Sequence, residues 1–90
     1  MRFLEIASSA TFVIKVVPGH LHHIVVNNAG TSWTLQIFDQ TSAAAPAIAG
    51  ASAFTIPAAG SVLNYEVDFS NGLTIVTAGA TPGSITVGYY

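Results

Sequence analysis

Three histidines within four positions are the residues best suited to chemistry in this 90-residue sequence. His20, His22 and His23 lie in the stretch GHLHHIVVNN, whose β-branched residues predict a strand. Alternation along a strand places His20 and His22 on one face and His23 on the other, together with Leu21. Two imidazoles at i and i+2 approach a metal ion from one side, but a protein site needs a third or fourth ligand. We therefore expect ordinary strand-edge polarity, with a metal site or a proton-sensitive subunit contact as alternatives.

Two carboxylates are the next candidates for chemistry. In NYEVDF, alternation places Glu66 and Asp68 on one strand face, about 7 Å apart, within the range of glycosidase carboxylate pairs. The solvated face of a half-buried strand has the same pattern, and we expect that structural role. The sequence contains neither a G-x-S-x-G elbow nor a phosphate-binding glycine loop. We therefore predict a protein that is not an enzyme, with no catalytic, cofactor-binding or metal-binding residues.

The scarcity of charge bears on possible partners. Only 7% of the residues are Asp, Glu, Lys or Arg, against about 25% in ordinary soluble domains. So little charge favours association, so we predict a homo-oligomer, with a trimer favoured, or a partner over much of the surface. A monomer kept soluble by Ser, Thr, Asn and Gly is the alternative. Two cationic side chains exclude a basic nucleic-acid footprint, and no apolar run approaches the length of a membrane span. The N-terminal stretch, interrupted by Glu5, is a poor secretory signal.

Alternation of apolar and polar residues with a period of two recurs along the sequence, and no segment sustains a helical period. Turn signals such as PGH, NAG, PAAG and ATPG separate the alternating stretches. SNG at 70–72 predicts a hairpin turn, with LTIVTAG as the partner of the preceding strand. We therefore predict one all-β domain over 1–90, a two-sheet β-sandwich of seven or eight short antiparallel strands. Jelly-roll-like connectivity is expected, with an immunoglobulin-like arrangement as the alternative.

The aromatic residues divide into core and surface candidates. Trp33 is in phase with the apolar residues of WTLQIF and is predicted to be buried. Phe38 and Phe54 are out of phase with the buried positions nearest them, and Tyr90 is out of phase with the apolar residues of SITVGYY. Such outward aromatic residues are suited to subunit contacts. The predicted partner-contact residues are Phe3, Val13, His20, His22, Phe38, Phe54 and Tyr90.

The stretches GHLHHIVVNNAG, WTLQIFDQ and NYEVDFSNGLTIVTAGATPGSITVGYY follow one another in a pattern that resembles small structural proteins of tailed bacteriophages. The resemblance begins at Gly19 and consists of strands and turns, with no active-site residues to transfer. It implies a β-sandwich virion component, such as a capsid decoration (cement) protein or a tail or neck module. Such proteins fold in the host cytoplasm and are commonly homo-oligomers seated on other virion proteins, such as the major capsid protein.

A glycan- or receptor-binding module of a tail fibre or baseplate is the alternative function. It requires an exposed aromatic residue flanked by polar side chains. Trp33 with Asp39, or Tyr90 with Asn27 and Asn28, are the candidate sets. A secreted adhesin or pilin subunit is a third interpretation, and it expects an export signal that the sequence does not show.

Overall fold

The computed structural model describes residues 1–90 and contains eight β-strands and no helix. Most strands coincide with an alternating or β-branched stretch bounded by turn residues, as expected for half-buried strands. The exception is the nine-residue strand Ala47–Thr55, because its first residues lie in the alanine-rich stretch DQTSAAAPAIAGA, which the sequence predicts to be a loop with at most one short strand. The strands are β1 (Arg2–Ile6), β2 (Thr11–Lys15), β3 (Gly19–Asn28), β4 (Thr34–Phe38), β5 (Ala47–Thr55), β6 (Val62–Phe69), β7 (Leu73–Ala78) and β8 (Ser84–Tyr89).

The strands form two four-stranded antiparallel sheets. Sheet A has the order β1-β8-β3-β6 and sheet B the order β2-β7-β4-β5. The chain therefore pairs β1 with β8, β2 with β7, β3 with β6 and β4 with β5, like one long hairpin wound into two sheets. This nested pairing is that of a jelly roll. The predicted two-sheet antiparallel sandwich is confirmed, and the strand order selects the jelly-roll connectivity.

The inner faces of the two sheets enclose a single core of 13 buried hydrophobic residues. Trp33, Leu35 and Ile37 are all fully buried, as their alternation predicts. The indole of Trp33 is not left unsatisfied, because its Nε1–H donates to the hydroxyl of Ser9 at 3.1 Å.

The turn at 70–72 does not form the predicted hairpin. It connects β6 in sheet A to β7 in sheet B, and these two strands do not pair with each other. Asn and Gly favour a reversal of chain direction, but the same reversal serves a crossing between sheets. LTIVTAG therefore forms a strand as predicted, with different partners.

Two aromatic residues predicted to face outward are not free on the surface. Phe38 lies beside Thr74 on the outer side of sheet B, yet it is only 7% exposed. The hydroxyl of Thr74 donates to the carbonyl of Gln40 at 2.7 Å, so the loop after β4 folds over this end of the sheet. Phe54 pairs with Leu35 and packs against the core. A period of two identifies faces, but it cannot show which loop covers a face or where an irregular strand changes phase.

Candidate functional site

A double irregularity in sheet A brings the histidines together. The register of β3 against both β6 and β8 shifts between Leu21 and His23. Leu21 and Ile24 are both fully buried, which leaves His22 and His23 between them on the outer side. The prediction that His23 shares a face with Leu21 is therefore wrong. A β-bulge adds one residue and reverses the alternation beyond it, and no residue type in HLHH signals it.

The outer side of sheet A holds five histidine and carboxylate side chains joined by a continuous series of polar contacts. His20 lies opposite Asp68, with Nδ1 and Oδ1 2.7 Å apart, and its Nε2 lies 3.3 Å from Oε2 of Glu66. The other oxygen of Glu66 lies 2.9 Å from Nε2 of His22. Nδ1 of His22 is 2.6 Å from Nδ1 of His23. We call the set Asp68, His20, Glu66, His22 and His23 the histidine–carboxylate chain.

Glu66 reaches both histidines because the backbone of β6 is irregular. The register of β6 shifts between Val67 and Asn64, and Glu66 has a φ of 50°. This left-handed conformation costs a side-chain-bearing residue roughly 1–2 kcal/mol. The contacts with His20 and His22 offset part of that strain.

The two carboxylates change the proton affinity of His20. The hydrogen bond to Asp68 is the largest cause of a raised pKa of the His20 imidazole, and partial desolvation opposes it. The hydrogen bond to Glu66 and the negative charges of both carboxylates raise the same pKa further. The two carboxylates therefore favour the cationic form of His20 over the neutral form.

Aromatic rings form a continuous row along this site. Successive ring centroids are 6.1 Å apart between Phe3 and His23, 4.8 Å between His23 and His22, 6.3 Å between His22 and His20, and 6.1 Å between His20 and Tyr90. The rings are tilted or edge-on to one another by 53° to 80°. Edge-to-face contacts are favourable between aromatic rings, but successive tilts do not provide one flat stacking platform.

Gly88 lies beneath one end of this row. It is paired with Phe3 on one side and His23 on the other. A Cβ at position 88 would lie 2.8 Å from Cε1 of His23. The glycine therefore gives the His23 ring room to lie over the β8 backbone.

A third carboxylate site lies at the end of β4. Oδ1 of Asp39 accepts hydrogen bonds from the backbone N–H groups of Ser70 at 2.9 Å, Asn71 at 2.8 Å and Gly72 at 3.4 Å. These bonds, those from Ser70 and Asn71 first, lower the pKa of Asp39. Asp39 thereby joins sheet B to the turn that leaves sheet A. We call this arrangement the Asp39 clasp.

The predicted contact residues divide between the two sheets. Phe3 and Tyr90, 62% and 52% exposed, lie beside the histidine–carboxylate chain, and His20 and His22 belong to it. Val13 is exposed on sheet B. Glu66, Asp68 and His23 also belong to the site, although they were not among the predicted contact residues. The sequence did predict that Glu66 and Asp68 lie on the solvated face of β6. The β3–β6 register is needed to show that this face lies beside the histidines.

The structure does not assemble the side-chain sets proposed for glycan binding. Trp33, proposed with Asp39, is fully buried. Tyr90 follows β8, whereas Asn28 pairs with Ser84 at the opposite end of that strand. Six residues of β-strand separate these positions by about 20 Å.

No group of three or more His, Asp or Glu side chains is arranged to hold a metal ion. No pocket opens on the surface. The structure contains no helix that is long and apolar enough to cross a membrane.

No family model, curated protein or solved structure matches this chain. The surfaces of the two sheets are therefore the basis for a functional proposal.

Proposed function

We propose that this protein is a non-enzymatic structural protein of a tailed-phage virion, and specifically a capsid decoration (cement) protein. It folds in the host cytoplasm and acts as a homo-oligomer, with a trimer favoured, seated on the major capsid protein. The jelly roll supports this proposal, because viral capsid domains use that architecture. Lectins and enzymes use it as well, so the surface must supply the stronger argument.

The observation on which the proposal rests is the absence of charge from the outer face of sheet B. Lys15, the one charged residue within its strands, follows a register shift that sets it opposite buried Leu73. Its ammonium group lies 5.9 Å from the centroid of the Phe69 ring, towards the end of the core. The outward positions of sheet B are occupied by uncharged residues, which include Thr11, Val13, Thr34, Gln36, Thr55, Val76 and Ala78.

An uncharged face suits contact with further copies of the same chain. Like charges brought together by assembly would repel, and this face contributes none. The molecule measures 32 × 24 × 16 Å. The shortest dimension, 16 Å, leaves one broad face on each side of the sandwich, and a broad face offers more contact area than an edge.

Two valines provide a matched test of this interface. Val13 on sheet B is 49% exposed, and Val62 on the outer side of sheet A is 51% exposed. Both lie in strands, so Val13→Asp and Val62→Asp introduce the same charge at similar sites on opposite faces. We expect Val13→Asp to dissociate the oligomer and Val62→Asp to leave it intact, as measured by sedimentation velocity. Circular dichroism should show that both variants fold.

The reverse pattern would assign assembly to sheet A and refute the role of sheet B. If neither variant altered assembly, neither face would be the interface and the proposal would lose its main support.

A further inference from the structure

We propose that the histidine–carboxylate chain binds one proton near neutral pH, and that this proton fastens edge strand β6 to β3. This is a property separate from assembly through sheet B. It makes the outer edge of sheet A sensitive to pH near neutrality, whereas the Asp39 clasp responds only to acid.

The contacts define where the proton lies. Both ring nitrogens of His20 face carboxylate oxygens, of Asp68 and Glu66, and a carboxylate can only accept. His20 satisfies both contacts only when both nitrogens hold a proton. Nε2 of His22 lies 2.9 Å from the other oxygen of Glu66, and Nδ1 of His22 lies 2.6 Å from Nδ1 of His23. One proton beyond the neutral imidazole of His20 thus gives both of its contacts a donor and an acceptor.

Loss of this proton disrupts both contacts of His20. Loss of a proton from His20 sets an imidazole lone pair against a carboxylate oxygen. The intact arrangement is therefore lost as the pH rises and His20 is deprotonated.

No permanent cation substitutes for this proton. The three ion pairs of the protein all join His20 or His22 to Glu66 or Asp68. The ammonium group of Lys15 instead lies 3.3 Å from the carbonyl of Pro18. The other rings in contact are Phe3, which does not titrate, and Tyr90, which contributes an aromatic contact to His20. Positive charge at the two carboxylates therefore depends on the histidines.

The position of β6 explains why the proton affects the attachment of this strand to the sheet. β6 is an edge strand, and β3 is its only neighbour in sheet A. Glu66 is in the left-handed region at the centre of their contact. Because the pKa of His20 is raised, protonated His20 stabilises the β3–β6 contact fully below the ordinary pKa of 6.5. This stabilisation is lost as the pH rises through the higher pKa that His20 has in the folded state.

Hydrogen exchange of backbone amides, measured by NMR between pH 5 and 9 in EDTA, tests the proposal. We expect protection factors in β6, corrected for intrinsic exchange, to fall several-fold as His20 loses its proton. Amides of β7, in the other sheet, should keep constant protection over the same range. His20→Gln should abolish the pH dependence in β6, whereas His23→Gln, which leaves the His20 contacts in place, should preserve it.

Constant β6 protection in the wild-type protein would overturn the proposal, as would unchanged pH dependence in His20→Gln. A parallel titration without EDTA distinguishes a proton from a metal ion. If the pH dependence occurred only without EDTA, a bound ion would be responsible and the proposal would fail.

Discussion

Asp39 and Asp68 show two ways of using a carboxylate in one small sandwich. Asp39 accepts hydrogen bonds from backbone N–H groups, which have no titration in the accessible pH range. Asp68 faces an imidazole, whose charge changes near neutral pH. The hydrogen-bond donors of the Asp39 clasp therefore do not change with pH, whereas the charge of the imidazole facing Asp68 does. The comparison indicates that the first site is structural and the second responsive.

The two sites should differ most in how much stability the protein loses when the carboxylate of each is removed. Asp39→Ala leaves the N–H groups of the 70–72 turn without their acceptor and unties the end of β4 from that turn. We expect a loss of about 2 kcal/mol in the free energy of unfolding, measured by urea denaturation at pH 7. Asp68→Ala is the matched control, and its effect should be much smaller because the Asp68 side chain is 88% exposed. Equal losses in the two variants would contradict the distinction between the sites.

The two sites should also limit stability at opposite ends of the pH range. The pKa of Asp39 is lowered, so its contribution is complete above the ordinary value of 3.8 and is lost as the pH falls through the folded-state pKa. His20, with its raised pKa, loses its contribution as the pH rises above 6.5. In thermal unfolding across pH 2–9, Asp39→Asn should flatten the acid limb and His20→Gln the alkaline limb. A single variant that flattened both limbs would show that the two sites are not independent.

Substitution of Glu66 separates backbone strain from side-chain contact. Both Glu66→Gly and Glu66→Ala remove the carboxylate, but glycine adopts the φ of 50° without steric penalty. We expect the glycine variant to be the more stable of the two by about 1 kcal/mol in urea unfolding. Equal stabilities would mean that β6 loses its bulge once the histidine contacts are absent.

Salt should produce the smallest effect. Raising ionic strength from 0.01 M to 1 M shortens the Debye length from about 30 Å to about 3 Å. The exposed carboxylates near His20 are then screened, so the His20 pKa should move down towards 6.5 in an NMR titration. The pKa of Asp39 should move less, because short backbone hydrogen bonds dominate its shift. A larger salt response at Asp39 would reverse the assignment of the two sites.

Local sequence patterns predicted much of the fold. Alternation in WTLQIF placed Trp33 in the core, and the turn signals divided the chain into the strands of a two-sheet sandwich. Pairing between strands was less accessible, because the turn at 70–72 has the same composition whether it closes a hairpin or crosses between sheets. Phe38 shows a related limit, since its burial depends on a loop folding over its sheet.

The candidate site was harder to predict because it depends on register. His20 and Asp68 are 48 positions apart, and only the β3–β6 pairing sets them opposite each other. A slip of one residue would turn the carboxylate to the other face. The bulge that groups His22 with His23 likewise depends on both neighbouring strands. The histidines and acids were visible as residue types, but their contact was not.

The mass of the unmodified protein in solution is the most direct test of the proposed structural role. Light scattering at pH 7, with and without EDTA and over a range of concentrations, distinguishes a 9.3 kDa monomer from an assembly. We predict a trimer of three times 9.3 kDa, or about 28 kDa, that survives EDTA. A monomer of 9.3 kDa at every concentration would contradict self-assembly through the uncharged face of sheet B.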